Sequence, residues 1–276
     1  MAALEGEALA AQHFELALLS DIGTNRANNE DSCGDVIEAP ESVLFAVADG
    51  VGGYEGGEIA SQMAVEITLQ SYRESPREWG AAKRLGRAVQ AANIEIHNRA
   101  LTVPELRRMA TTLTAVSVDN GMLNAAHVGD CRLYLVRERK IVLLSKDHTV
   151  IGERVRMGVM SEARARTHPE RSALTRSLGR ELIVSVDRIS MPLRQGDELI
   201  VCSDGLYNVL EDADLHKLTH GASAQDACRA LVDTANQRGT ADNLTVAFFR
   251  MLAETPDPPE RAGWRGRLRG LFSRRG

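Results

Sequence analysis

The chain has 276 residues, 43% hydrophobic and 26% charged, enough to bury a full core and ordinary for a soluble globular protein. No apolar run approaches the roughly 20 residues of a membrane span, and the first twenty residues carry Glu5 and Glu7 without the basic start of a secretory leader. The net charge is −5, but residues 261–276 hold six arginines and no acid, so the body before them stands at −11; this argues against nucleic acid as the main partner.

In chain order, Phe14 to Gly23 reads as a first strand and Thr24 to Asp31 as a polar loop. Leu44 to Asp49 is a short apolar run ending in a glycine cluster, the pattern of a buried strand that leaves the core on a carboxylate. Ile59, Met63 and Ile67 share one helical face, with Pro76 as the stop, and Leu85, Val89, Ala92 and Ile96 repeat the spacing in a second helix. Leu113–Val118 and Met122–Val128 flank Asp119-Asn120-Gly121, a hairpin signature. A second hairpin joins Leu133–Val136 to Ile141–Leu144.

Residues 147–182 are polar, arginine-rich and irregular, with one helix expected to end at Gly158; so long a connection suits a functional lid. Strands are expected at Ile183–Ile189, Glu198–Cys202 and Leu244–Phe249. A helix capped by Ser223 and ended by Gly239 precedes the last of them. Many hairpins with a few amphipathic helices predict an α+β fold, antiparallel sheets packed together and covered by helices. Residues 1–252 form the expected catalytic domain, and 253–276 a proline-containing linker and basic tail.

Asp49 is one of several acids at strand ends. Asp204 follows Leu199–Cys202, Asp242 precedes the Leu244 strand, Asp130 follows Ala125–Gly129, and Glu30 and Asp31 close the first polar loop. Six carboxylates of this kind converge only if cations relieve their repulsion, and an oxygen-rich strand end beside glycines suits a hard divalent metal.

These residues carry a resemblance. The chain resembles the bacterial metal-dependent serine/threonine phosphatases of the phosphatase 2C (PPM) family. The matching elements are Arg26-Ala-Asn-Asn-Glu30-Asp31, Asp49-Gly50-Val-Gly-Gly53, His127-Val-Gly-Asp130-Cys-Arg132, Asp147-His148-Thr149, Ser203-Asp204-Gly205 and Asp242-Asn243-Leu-Thr, in the family's order. Thr167-His168-Pro169, followed by Leu174-Thr175-Arg176-Ser-Leu-Gly179, resembles the family's flap.

The resemblance implies a central β-sandwich of two antiparallel sheets flanked by helices, with a binuclear Mn²⁺ or Mg²⁺ centre at one end. It implies that Asp49 bridges both metals, that the Gly50 carbonyl binds one, and that Asp204 and Asp242 bind the other. Glu30 and Asp31 would contribute directly or through water, and Asp130 with Asp204 would hold a weaker third metal. Arg26 would grip the substrate phosphate through its planar fork. Two cations sharing a water lower its pKa and aim the hydroxide at phosphorus, so no covalent nucleophile is needed.

Two departures stand out: Val51 occupies the place of a histidine found in animal members, and Cys131 that of the usual serine. The implied function is hydrolysis of phosphoserine and phosphothreonine on proteins, opposed by a Ser/Thr kinase, in the cytoplasm. The alternatives are a phosphatase of the anti-sigma-antagonist branch and a non-catalytic pseudophosphatase that binds phosphoproteins. The four cysteines form no C-x-x-C pair, which fits a reducing compartment. In the tail, Trp264, Leu268, Leu271 and Phe272 would line one helical face with arginines beside it, an arrangement suited to docking on a protein or on the inner membrane surface.

Overall fold

Residues 4–5, 9–10, 13–51 and 56–253 are described by the computed structural model. Gly52, Gly53 and the expected linker and basic tail from residue 254 onward lie outside them. The strands are β1 (Leu4–Glu5), β2 (Leu9–Ala10), β3 (Phe14–Asp21), β4 (Asp31–Ala39), β5 (Ser42–Asp49), β6 (Leu113–Asp119), β7 (Met122–Val128), β8 (Arg132–Arg137), β9 (Lys140–Leu143), β10 (Asp187–Pro192), β11 (Glu198–Cys202) and β12 (Leu244–Met251). The helices are α1 (Gly57–Glu74), α2 (Ala81–Thr102), α3 (Val150–Arg156), α4 (Glu162–Arg166), α5 (Asp204–Tyr207), α6 (Asp212–Thr219) and α7 (Ala224–Gln237).

Every strand pair is antiparallel. One sheet runs β1-β3-β12-β11-β8-β9, with β2 also on β3, and the other runs β10-β7-β6-β5-β4. The alternation of side chains explains the layering. In β5, Val43, Phe45 and Val47 enter the core between the sheets, while Leu44, Ala46 and Ala48 pack under α1 and α2. In β11, Leu199 and Val201 face the other sheet, while Ile200 and Cys202 meet α6 and α7 through Leu215, Cys228 and Leu231. Strands buried on both faces read as continuous apolar runs, which is why these two stand out in the sequence. Phe249 stacks on both Phe14 and Phe45 (ring centroids 5.5 and 6.0 Å), tying the sheets across the core.

Several sequence expectations are corrected. β4 is a full strand beginning at Asp31. Only Asp31 is buried among its residues, and Gly34 interrupts the run, so the period-2 signal is weak there. In α1 the buried face is Ala60, Ser61, Ala64, Val65, Thr68 and Tyr72, and Ile59 and Met63 only flank the core. Small residues let the helix lie close on β4 and β5, so bulk alone misreads its face. The strand expected at Ile183 begins four residues later, and Ile183 itself is exposed. The expected lid contains two helices, α3 and α4, with Gly158 at φ 71° between them. Elsewhere the local signals hold: Asn120 and Gly121 adopt φ 47° and 72° in the β6–β7 turn, and Ser223 Oγ accepts from Asp226 N–H at the start of α7.

Candidate active site

The strand register builds the site. Asp31 at the start of β4 pairs directly with Asp49 at the end of β5. In the facing sheet, β3 ends at Asp21 opposite Leu244, while Cys202 at the end of β11 lies opposite Val246 of β12 and Arg132 of β8. Asp204, Asp242 and Asp130 are each within two residues of those strand ends, so five carboxylates from both sheets gather at one end of the sandwich. Asp130 lies in the crossing from β7 to β8. It follows Gly129, whose φ of 105° and contact with Thr112 leave no room for a side chain.

Their charges show the proximity. Burial pushes the Asp31 carboxyl up to about 7, with the charges of Asp204 and Asp242 adding to the rise and the Ser203 and Thr245 hydroxyls opposing it. Burial raises Asp49 strongly, reinforced by Asp31, Asp204, Asp130 and Asp242. Asp130 rises through burial and then Asp204, and Asp204 is pushed up to about 6 by burial and then Asp242. Glu30 rises through burial, against the pull of Arg26. Acids that raise one another in this way form a strongly electronegative pocket.

Hydrogen bonds fix the frame. Asp49 N–H donates to Thr112 Oγ1 (3.0 Å), and its carbonyl accepts from Thr111 Oγ1 and Thr112 N–H (2.8 Å each). Ser203 Oγ–H donates to Asp31 Oδ2 (2.7 Å) and accepts from Thr245 N–H (3.0 Å). Asn243 is a hub: its Oδ1 accepts from Glu30 N–H (2.9 Å), and its Nδ2 donates to the carbonyls of Ile22 (2.9 Å) and Asn28 (3.0 Å). One buried amide thus joins the end of β3, the Arg26–Asp31 loop and the start of β12. A Cβ on Gly50 would lie 2.5 Å from the Gly57 carbonyl oxygen and 2.6 Å from that of Glu30, so the closeness of three backbone segments demands glycine there. Asn243, Ser203, Thr111 and Thr112 escape sequence reasoning as supports. Their signal is polarity inside or beside apolar strands.

Arg26 sits at the mouth, with Nη2 2.8 Å from Asp242 Oδ2 and Nε donating to the Ala241 carbonyl (3.4 Å). It is thus engaged by an acid of the site, and its Nη1 hydrogen-bonds to no described residue. The flap residues separate. Thr175 N–H donates to the His148 carbonyl (2.8 Å) and its hydroxyl to Glu153 of α3 (2.9 Å), tying the flap to itself, while Arg176 pairs with Asp187 of β10 (2.8 Å) and anchors it to the body. Thr167 and His168 lie past α4, where His168 Nδ1 accepts from Glu170 N–H, and no described contact joins either to the acids.

The two buried histidines are packed into the frame. Burial lowers His127 to about 4, its Nδ1 sits 2.8 Å from Thr114 Oγ1, and its Nε2 lies 3.0 Å from the Lys146 carbonyl. His148 Nδ1 accepts from Gly129 N–H (3.0 Å) and its Nε2 lies 3.3 Å from Asp187. Burial holds the thiols of Cys33 and Cys202 up at about 12 and raises Cys131 well above the ordinary thiol range, so all three behave as small core groups.

The donor set fits hard cations: carboxylates whose repulsion a divalent ion relieves, on a strand end that runs into the close-packed Gly50. Among the described residues, no three acidic, histidine or cysteine side chains are drawn into a closed cage, so the fit rests on charge and oxygen chemistry.

A helix-covered antiparallel sandwich with acids at one end is the architecture of phosphatase 2C-type enzymes. The profile of the protein phosphatase 2C family matches residues 23–248, and the chain belongs to that family. It is 32% identical over 231 residues to the serine/threonine phosphatase stp of Listeria innocua, covering 82% of this chain and 92% of that protein. The crystal structure of the Mycobacterium tuberculosis serine/threonine phosphatase PstP/Ppp matches with a TM-score of 0.78 and 32% identity, covering 87% of this chain and all of the other. The catalytic domain of the serine/threonine protein phosphatase PstP in complex with two manganese ions matches with a TM-score of 0.77 and 30% identity, covering 87% and 99%. Among the described residues no helix is long and apolar enough to cross a membrane.

Proposed function

We propose that this chain hydrolyses phosphoserine and phosphothreonine on proteins with two divalent cations, Mn²⁺ or Mg²⁺, held at the shared strand end. Asp49, the Gly50 carbonyl, Asp204 and Asp242 are the ligands, with Glu30 and Asp31 at their edge and Asp130 with Asp204 as a weaker third position. The observation that carries this reading is the Asp31–Asp49 pair facing Asp204 and Asp242 from the opposite sheet. When bound, the cations neutralise the acids, polarise the phosphoryl oxygens and acidify a water into a nucleophile near neutral pH.

The chain's own residues do the rest. Ser203 orients the Asp31 carboxylate, and Thr111 and Thr112 hold the Asp49 backbone. Arg26 keeps Asp242 in place through one arm of its fork and offers the other to a phosphate oxygen. No histidine at the site is placed to protonate the leaving serine or threonine: His127 and His148 are buried and engaged in the frame. The leaving oxygen therefore takes its proton from water or from another group of the site.

All six acids of the set are present, which favours catalysis over phosphoprotein binding alone. An opposing Ser/Thr kinase supplies the substrates, and the basic tail serves as a docking arm. Phosphate release from matched phosphothreonine and phosphotyrosine peptides tests the reading. Release that needs added Mn²⁺ or Mg²⁺, stops with EDTA and favours phosphothreonine supports it. Unaltered release in EDTA overturns it.

A further inference from the structure

Beside the acids lies a cleft of about 480 Å³, within the size range of ligand pockets. Asp130 and Asp204 close one end of it, so it is continuous with the candidate metal centre. Its apolar part comes from Ile141, Val142 and Leu143 of the edge strand β9 and from Ile151 and Val155 of α3. At its floor, Arg132 is spent internally: it grips Asp147 with two hydrogen bonds (3.1 and 2.7 Å) and stacks 3.8 Å over the Tyr207 ring.

Three other cations of the lining are not spent this way. Lys146, Arg156 and Arg171 are exposed, and none forms an ion pair with a described carboxylate. Arg156 donates only to the Asp147 carbonyl (2.7 Å). Arg171 lies near enough to Asp204 for its charge to act on that acid. Glu162, which has an interaction of its own, and Asp212 are the remaining acids of the lining. On a body of strongly negative net charge, a cleft with uncommitted cations next to the phosphate site selects its ligand by charge.

We propose that this cleft, between β8–β9, α5 and the flap helices, receives an acidic stretch of the substrate protein immediately beside the phosphorylated residue. The inference rests on the phosphatase reading above and names the substrate class of that site. The carboxylates of the stretch meet Lys146, Arg156 and Arg171, and its aliphatic atoms lie on β9 and α3. Exposed ion pairs of this kind are individually weak, so the expected discrimination is about tenfold.

The test measures kcat/KM of the Mn²⁺-loaded full chain on phosphothreonine peptides of equal length, with two Glu or two Gln residues before or after the phosphothreonine. The expected result is that Glu is preferred about tenfold on at least one side, chiefly through KM, and that the preference shrinks as sodium chloride is raised. The Lys146→Glu/Arg156→Glu variant should abolish or reverse the Glu/Gln ratio, and Lys146→Gln/Arg156→Gln should reduce it. The milder variant and a thermal melt guard against misfolding. Equal kcat/KM for Glu and Gln peptides on both sides, or a preference that survives in both variants, overturns the inference and leaves the phosphatase reading standing. Failure of the wild type on every peptide overturns both.

Discussion

The acidic strand ends and the flap beside them are built on opposite terms. Each acid of the site is fixed by a β-register or a backbone hydrogen bond, and the cost of crowding like charges is imposed on a rigid frame. The flap around α3 and α4 is joined to the body mainly near its two ends, through the His148 N–H to Gly129 carbonyl bond, the Thr111–Leu178 backbone pair and Arg176 on Asp187, with Arg166 near Glu211 (3.6 Å) as a link from α4. Its turn exposes Met157 and Val159, each 74% accessible, and its arginines face solvent. A strained charge cluster needs strands on every side to hold it, whereas a surface that selects among substrates needs few contacts and can vary. On the proposed reading, chemistry and selectivity are therefore separated in space.

The sharpest way to break this division is at the acids. Asp49→Asn or Asp204→Asn should lower kcat by about a thousandfold or more, because charge that positions the cations is lost. Full turnover by either variant would rule out the two-metal mechanism. Arg26→Ala should act mainly on KM, since the proposed grip of its free arm on the phosphate would hold in the ground state as well.

Next comes a stability effect at the frame. Asn243→Ala removes the three hydrogen bonds of a buried amide and orphans their partners, so denaturant unfolding should show a loss of about 2–3 kcal/mol. A change within error would show that the three loops hold without the hub.

The charge cluster also predicts a pH dependence. Asp31 and Asp204 bind protons more tightly in the folded chain, at about 7 and about 6, than as ordinary carboxylates. With EDTA, these groups should lower stability as pH rises from about 4 to about 7, because the folded state there holds protons that the unfolded chain has released. Mn²⁺ should then raise the melting temperature more near pH 7.5 than near pH 5. An equal shift at both would contradict cation binding by these acids.

Smaller effects belong to the flap and the thiols. Backbone hydrogen exchange should be faster across residues 150–173 than in β11 and β12, and Arg176→Ala should quicken it further by releasing Asp187. Uniformly slow exchange would make the flap a rigid rim. Peroxide should inhibit the wild type and a Cys33→Ser/Cys131→Ser/Cys202→Ser variant alike, since burial keeps all three thiols protonated.

Local sequence signals alone were enough to show the strands at β5 and β11, the Asn-Gly hairpin, the Ser223 cap and the candidate acids at apolar strand ends. Each is a short-range pattern in which a few neighbouring residues settle the backbone or its burial. What only the tertiary structure decided depends on pairings distant in sequence. That Asp31 opens a strand and faces Asp49, that Arg26 is engaged by Asp242, and that Asn243 joins three loops follow from contacts 18 to 221 residues apart. The same holds for α1, whose small residues face inward because two helices and a sheet must approach closely. It holds too for the cleft, whose lining from Asp130 to Asp212 is assembled by folding. Periodicity records which residues avoid water, but register and packing decide which of them meet.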